Sequence, residues 1–456
     1  MTTAAPRERT TCCIVGGGPA GLMLGLLLAR AGVDVTVLEK HRDFLRDFRG
    51  DTVHPSTLRL LDELGLGARF EELPAHRLEE MRIQVAGVTV TMADFRRMPG
   101  RTRRKYIAMV PQWDFLNLLA EAAAVEPTFT LRRNTAVTGL LTDSAGRVTG
   151  VRLREHGGGE GKLAADLVVA CDGRNSVVAA AAGLRQRSFP VPMDVWQIRV
   201  PAPDPDAAHS GRVFGRFGSG QVAVTMDRGD YYQTSYLIAK GTDAARRSRD
   251  VRELRENLGQ LFGWGPELTD AIRTWDDVKT LDVTMGRLPR WYADGLLCIG
   301  DAAHTMSPVG GVGVNLAVQD AVAAARILAG PLRRGRVTEA ELARVQKRRR
   351  LPVAVTQKSQ LAEHGMLIRP ALDGTLDARP LPLPLRALRR SRLLQGLAAY
   401  AGGMGVRPEH APEFARRGPA GPDPAGPDPA GPDPAGPDPA GPASAGPEVR
   451  RRSPAA

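Results

Sequence analysis

Residues 10–39 read TTCCIVGGGPAGLMLGLLLARAGVDVTVLE, and this stretch decides the fold. The run 11–15 is short, apolar and partly β-branched, as a buried strand requires. Glycines and a proline interrupt it. An apolar helix is predicted over about 19–31, with Gly32 as its C-cap. Residues 33–38 form a second strand that ends at Glu39. Strand, turn, helix and strand within about thirty residues is the size of a βαβ unit. Gly16, Gly18 and Gly21 have the GxGxxG spacing. The first glycine permits a tight turn, the second lets the main chain approach a diphosphate, and the third lets helix and strand pack closely. The diphosphate then meets the free N–H groups and positive dipole of the helix N-terminus. Glu39 ends the second strand, where a carboxylate accepts hydrogen bonds from ribose hydroxyls. The stretch predicts dinucleotide binding.

Outward from this unit, the chain has 456 residues, enough for about three domain-sized units. Hydrophobic content is 43% and charged content 25%, ordinary values for a globular protein. The formal charge of +12 comes almost wholly from arginine. With abundant Ala and Gly it reads as compositional bias rather than as a nucleic-acid footprint. Cys12, Cys13, Cys171 and Cys298 lie in apolar, strand-like runs without C-x-x-C spacing. They predict buried reduced thiols, no metal site and a cytoplasmic protein. The N-terminal apolar run superficially resembles a signal peptide, but Glu8 sits in its charged part and Arg30 ends it.

Helices are predicted over 55–64 and 112–124, strands over 78–95 and in several runs over 128–170. Residues 190–285 are richer in strands and aromatics. A buried strand over 296–299 precedes a long helix from about 313 to 329, and 338–368 and 384–400 read as Arg-rich helices. From Ala420 the pentad AGPDP repeats four times, to Pro439. Such a run buries nothing, and residues from 417 onward are expected to be a disordered tail.

Two further strand-end motifs carry chemistry. Asp172-Gly173 follows the strand 166–171. Gly300-Asp301-Ala302-Ala303-His304 follows the strand 296–299 and leads to Pro308 and Gly310–Asn315. A carboxylate at such a strand end can hydrogen-bond a polyol, and the Gly-rich helix entry can face a developing anion.

The three motifs in this order and spacing resemble the FAD-dependent aromatic-ring monooxygenases, the p-hydroxybenzoate hydroxylase-like class that also includes quinone-biosynthesis hydroxylases. The resemblance spans roughly residues 10–415. It implies an α/β fold: a Rossmann-like FAD-binding domain, an interleaved β-sheet substrate domain and a C-terminal helical region. The implied boundaries are 10–180 for the first part of the FAD domain, including a small β excursion near 76–106, and 181–290 for the substrate domain. The last part of the FAD domain then covers 291–335, the helical region 336–416 and the tail 417–456.

By resemblance, Gly16, Gly18 and Gly21 would hold the FAD diphosphate and Glu39 the adenosine ribose. Arg49 and Gln112 would contact FAD, and Asp172 would serve FAD and nicotinamide function. Asp301 would bind the ribityl chain, while Pro308, Gly311, Gly313, Val314 and Asn315 would line the isoalloxazine. The second motif departs from the family at Ala179, where an arginine is usual. No catalytic residue is assigned; His54, His304 and Pro308 are the candidates, with a packing or loop role the plainer reading of both histidines. Tyr232, Thr234 and Tyr236 would share one strand face and line either the substrate pocket or ordinary sheet packing.

The implied reaction uses NADH or NADPH as a transient reductant and molecular oxygen. It would hydroxylate a phenolic, quinone-like or polycyclic aromatic small molecule through a C4a-hydroperoxyflavin. The alternatives are another FAD reaction on the same scaffold, prenyl-chain reduction or halogenation, and a non-catalytic flavin-binding protein. Membrane contact through Leu381–Tyr400 is the weaker alternative to a packing helix.

Overall fold

In the computed structural model, which describes residues 8–45, 52–202, 212–218, 220–228 and 231–417, the strand Glu8–Val15 is buried over its last four residues. It pairs in parallel with Val35–Leu38 on one side and with Glu160–Ala170 on the other. Phe129–Arg132 extends the sheet beyond Val35–Leu38, and Leu296–Cys298 extends it beyond Glu160–Ala170. These strands are near-continuous apolar runs because helices cover them. The helix Pro19–Arg30 buries ten of its residues, and Gly32 follows it with φ +74°, a backbone conformation that glycine adopts freely. The long helix Gly313–Arg333 and the helix Gln112–Ala124 complete that layer; Leu22, Leu26, Leu119, Val318 and Val322 share its core.

A second sheet has seven strands, in the order Lys279–Leu281, Met193–Pro201, Tyr231–Ala239, Gln221–Asp227, Arg212–Gly218, Glu80–Val85 and Val88–Asp94. The excursion near 76–106 therefore does not stay with the dinucleotide-binding part. Its strand Glu80–Val85 pairs in parallel with Arg212–Gly218, which carries Val88–Asp94 into the second sheet. Residues 240–278, within a segment that reads as strand-rich, contain the helices Asp243–Arg247 and Arg252–Phe262. Leu254 and Leu258 lie four apart and seat the latter on the sheet. Gly263, with φ +72°, ends it.

The C-terminal part is helical as expected. The helix Glu339–Glu363 opens with a capping box between Thr338 and Glu341 and runs into a π-turn at His364–Ile368. The helices Leu383–Arg390 and Arg392–Met404 follow. Gly403 of the last lies against Pro55 and Phe95, where a Cβ would come within 3.0–3.1 Å of both. Leu393 and Leu397 remain exposed. Among the described residues one helix, Val309–Arg333, is long and apolar enough to cross a membrane, and it is 72% buried as a core helix. By contacts the chain divides into Met1–Pro419 and Ala420–Ala456; the second unit, including the AGPDP repeats, lies outside the described residues.

Candidate active site

The carboxyl ends of Glu8–Val15, Val35–Leu38, Glu160–Ala170 and Leu296–Cys298 open onto one cleft of about 420 Å³. Ligands of open α/β sheets bind at this end of the strands. Gly16, Gly18, Glu39, Gln112, Asp172, Asp301, Pro308, Gly311, Gly313 and Val314 all line it.

The three glycines of the first motif differ in kind. A Cβ on Gly16 would lie 2.5 Å from the Cys171 carbonyl oxygen, and one on Gly21 would lie 1.9 Å from the carbonyl oxygen of Gly16. Both are sites of close backbone approach, and Gly21 does not line the cleft. A Cβ on Gly18 would meet nothing within 4 Å. It would project into free space at the head of the helix. Gly21→Ala should therefore cost folding itself, read as loss of soluble protein or a sharply lowered melting temperature. A Gly21→Ala protein as stable as wild type would contradict the packing seen here.

Glu39 is almost fully buried. Its Oε2 accepts the Gly17 N–H at 2.8 Å and its Oε1 accepts the His41 N–H at 3.1 Å. The carboxylate thus fixes the loop as well as the rim of the cleft. Asp172 accepts the Val178 N–H on Oδ2 at 3.3 Å, while Oδ1 is buried without a hydrogen-bond partner. Burial raises the Asp172 carboxyl pKa above its ordinary value, against the Ser176 hydrogen bond. A buried, unsatisfied carboxylate oxygen beside an open cleft is the state of a group that awaits a ligand donor. Burial also raises the neighbouring Cys171 thiol, and it pushes Cys13 up to about 12, so both sulfurs are poor nucleophiles.

The far wall is a loop built to a fixed shape. Gly310 and Gly311 have φ +79° and +61°. Thr52 Oγ1 donates to the Gly311 carbonyl at 2.9 Å, and Gln360 Nε2 donates to the carbonyls of Ser307 and Val309 at 2.9 and 2.8 Å. Gly313 then starts the long helix, so its first N–H groups face the cleft. Asn315 stands behind the loop rather than in the lining. Its Oδ1 accepts the His54 N–H and the Thr57 hydroxyl at 2.9 and 2.7 Å, and its Nδ2 donates to the Thr52 carbonyl at 3.0 Å.

Neither histidine candidate lines the cleft. His54 is buried behind the Gly310–Gly311 loop, with Nδ1 at 3.0 Å from the Gly402 carbonyl. Burial lowers its pKa from 6.5 to about 4, although the Gly402 carbonyl works the other way. The unfolded chain therefore takes up this proton first as pH falls. His54 should remove stability between pH 6.5 and about 4, on the order of 3 kcal/mol in full. His54→Gln should show a shallower loss of melting temperature between pH 7 and pH 5 than wild type. Parallel curves would contradict the assignment.

His304 is likewise packed. Its Nε2 lies 2.6 Å from Asp320 Oδ2 and its ring lies against Trp291. Asp320 Oδ1 accepts Arg349 Nε at 2.8 Å, and Oδ2 also accepts the Gly300 N–H at 3.2 Å. All three side chains are essentially without solvent exposure. Burial alone would raise the Asp320 carboxyl, but His304 and then Arg349 outweigh it and hold it below its ordinary value. The sequence reading missed this network. Its signal is Asp320 itself, a lone carboxylate among the apolar residues of the long helix, which demands a buried partner.

Tyr232, Thr234 and Tyr236 do share a face, and it looks away from the cleft. They stand opposite Val200, Ile198 and Trp196, and Tyr236 and Trp196 pack with Leu254 and Leu258. The other face carries Val195 and Leu237, and Val195 pairs with Leu281, a cleft residue. A second cavity, of about 410 Å³ and lined by Phe214, Arg216, Tyr232 and Trp264, therefore belongs to the outer side of the sheet. In the Arg-rich run Arg101–Lys105, Arg104 is buried and donates to Asp62 from Nε at 3.1 Å and Nη2 at 2.9 Å. Arg49 lies outside the described residues.

The geometry can be set against known proteins. Residues 9–359 match the family described as "FAD binding domain". The chain belongs to this FAD-binding family. It is 35% identical over 370 residues to 6-methylpretetramide 4-monooxygenase of Streptomyces rimosus, covering 80% of this chain and 86% of that one. A second relative, 12-dehydrotetracycline 5-monooxygenase/anhydrotetracycline 6-monooxygenase of Streptomyces rimosus subsp. rimosus, is 31% identical over 328 residues; the match covers 68% of this chain and 60% of the relative. The solved structure of OxyS anhydrotetracycline hydroxylase from Streptomyces rimosus shares the fold, with a TM-score of 0.66 at 24% identity, over 88% of this chain and 77% of that one. The kinship with FAD-dependent aromatic-ring monooxygenases and the α/β fold expected from the motifs both hold, and FAD is the cofactor of the family.

Proposed function

We propose that this member of the FAD-dependent monooxygenases uses NADH or NADPH and molecular oxygen to hydroxylate a polycyclic aromatic small molecule, with FAD held in the cleft described above. The observation that carries the reading is the convergence on that cleft of open space at Gly18, an unsatisfied Asp172 Oδ1, Asp301 and the head of the helix Gly313–Arg333. These features suit a flavin dinucleotide: room and N–H groups for a diphosphate, carboxylates for ribose and ribityl hydroxyls, and a helix terminus for the anionic edge of the ring. FAD, when bound, supplies the redox chemistry and the activation of oxygen. The polycyclic substrate is inferred from the named relatives.

The chain's own residues then bind, orient and exclude water. The Pro308–Gly311 loop, braced by Thr52 and Gln360, presents a fixed wall to the flavin ring. Leu281, in the edge strand of the second sheet, and Val283 just beyond it line the cleft with apolar side chains. Exclusion of water from such a site suppresses unproductive loss of the activated oxygen. No acid–base residue is assigned, because His54 and His304 stand behind the walls. Four reduced thiols are consistent with a cytoplasmic site of action.

Asp301→Ala should weaken FAD binding by roughly ten- to hundredfold, the loss of one charge-assisted hydrogen bond worth about 1.5–3 kcal/mol. Flavin fluorescence titration measures it. Equal affinity in the folded variant would remove Asp301 from the site.

A further inference from the structure

Beside the Asp301 turn lies a small three-stranded sheet, Arg187–Phe189, Met285–Arg287 and His304–Thr305. It places Arg187 directly opposite Arg287. Like charges at directly opposed positions are destabilising. Arg287 is half-buried, donates from Nη1 to Gln357 Oε1 at 3.1 Å and stands 5.8 Å over the Phe189 ring. Arg350 precedes Gln357 by seven residues, two turns along the helix Glu339–Glu363, and so shares its face. Burial, then Arg350 and Arg187, lower the Arg287 guanidinium below its ordinary pKa. Among the described residues, no carboxylate lies within ion-pair distance of Arg187, Arg287 or Arg350, whereas Arg290, three residues after Arg287, pairs with Glu339, and Arg348, two residues before Arg350, pairs with Glu409.

The cluster is joined to the cleft. Gln186 Nε2 donates to the carbonyl of Asp301 at 3.1 Å. Thr284 lines the cleft and directly precedes the strand that carries Arg287, three residues on, or about 10 Å at strand rise. Three unneutralised guanidiniums held together at this distance from the cleft form a site for a phosphate-bearing anion.

We propose that Arg187, Arg287 and Arg350 dock the phosphate groups of the nicotinamide dinucleotide that reduces the enzyme. The inference rests on the reductant named in the proposed function. The cluster follows the short helix Val177–Ala181 in sequence, and Gln186, next to Arg187, ties it to the Asp301 turn.

The test is anaerobic reduction of the bound flavin, followed by loss of its visible absorbance against NADH and NADPH concentration. It compares the FAD-loaded wild type with the double variant Arg187→Gln/Arg350→Gln, whose side chains are exposed. The dissociation constant of the dinucleotide should rise about tenfold or more, and its dependence on ionic strength should flatten. FAD content should be unchanged and the melting temperature unchanged or higher, since two like charges are relieved. An effect on NADPH alone identifies the 2′-phosphate as the docked group; an equal effect on both identifies the diphosphate. Unchanged dissociation constants would overturn the docking site and leave the reductant standing. A wild-type flavin reduced by neither dinucleotide would overturn both.

Discussion

Gly18→Val should yield a folded protein that carries no FAD. A Cβ at Gly18 would have no protein atom within 4 Å, so the site has room for a side chain. The same addition at Gly16 or Gly21 would drive into backbone. Gly18 has φ −79° as the N-cap of its helix, so the substitution carries no penalty of a left-handed backbone. What the branched side chain occupies is the approach of a diphosphate to the first N–H groups of Pro19–Arg30. The affinity for FAD should fall by about a hundredfold or more, which is about 2.7 kcal/mol. Circular dichroism and the melting curve of the FAD-free protein should match those of wild-type protein stripped of FAD. Full FAD retention would show that the loop does not cradle the diphosphate.

The second large effect is on stability. Asp320→Ala should destabilise the protein by about 3–5 kcal/mol, because removing one partner of a buried ion pair strands the other. Arg349 would keep Glu409 at 3.8 Å, but Glu409 is already engaged by Arg348 at 2.6 and 2.7 Å. The Gly300 N–H would lose its acceptor, which loosens the turn that presents Asp301. Urea denaturation of the FAD-free protein measures the change. The double variant Asp320→Leu/Arg349→Met should recover much of it, as apolar replacement of a buried pair commonly does. A single-variant loss under about 1 kcal/mol would show that the network holds nothing together.

Much of the fold was legible in the chain. The βαβ unit and the helix Gln112–Ala124 stand where their periodicity places them, because apolar runs bounded by Gly, Pro and charge leave few alternatives. Residues 240–278 were harder. Their helix Arg252–Phe262 buries only Leu254 and Leu258, a weak stripe in a strongly charged segment flanked by strand-like aromatic runs. The pairing of Glu80–Val85 with Arg212–Gly218 joins strands far apart in sequence, and no local pattern records such a contact.

The candidate site divides in the same way. Gly16, Gly18 and Glu39 declare themselves by spacing and the others by the family resemblance, and ten of the expected residues meet in one cleft. Residues that act through another are silent. Thr52 and Gln360 shape the Pro308–Gly311 loop, yet a threonine or a glutamine carries no motif. The direction of a strand face is also silent: alternation groups Tyr232, Thr234 and Tyr236 but cannot say which way they look.

The most direct measurement of the central claim supplies labelled oxygen. FAD-loaded enzyme, NADH or NADPH, and a set of polycyclic phenols would be combined under ¹⁸O₂, with products read by mass spectrometry. The account predicts dinucleotide oxidation that rises with the accepted aromatic compound, and a product bearing one atom of ¹⁸O on its ring. Dinucleotide oxidation stimulated by the aromatic compound, with all labelled oxygen recovered as hydrogen peroxide and none in the aromatic product, would contradict it.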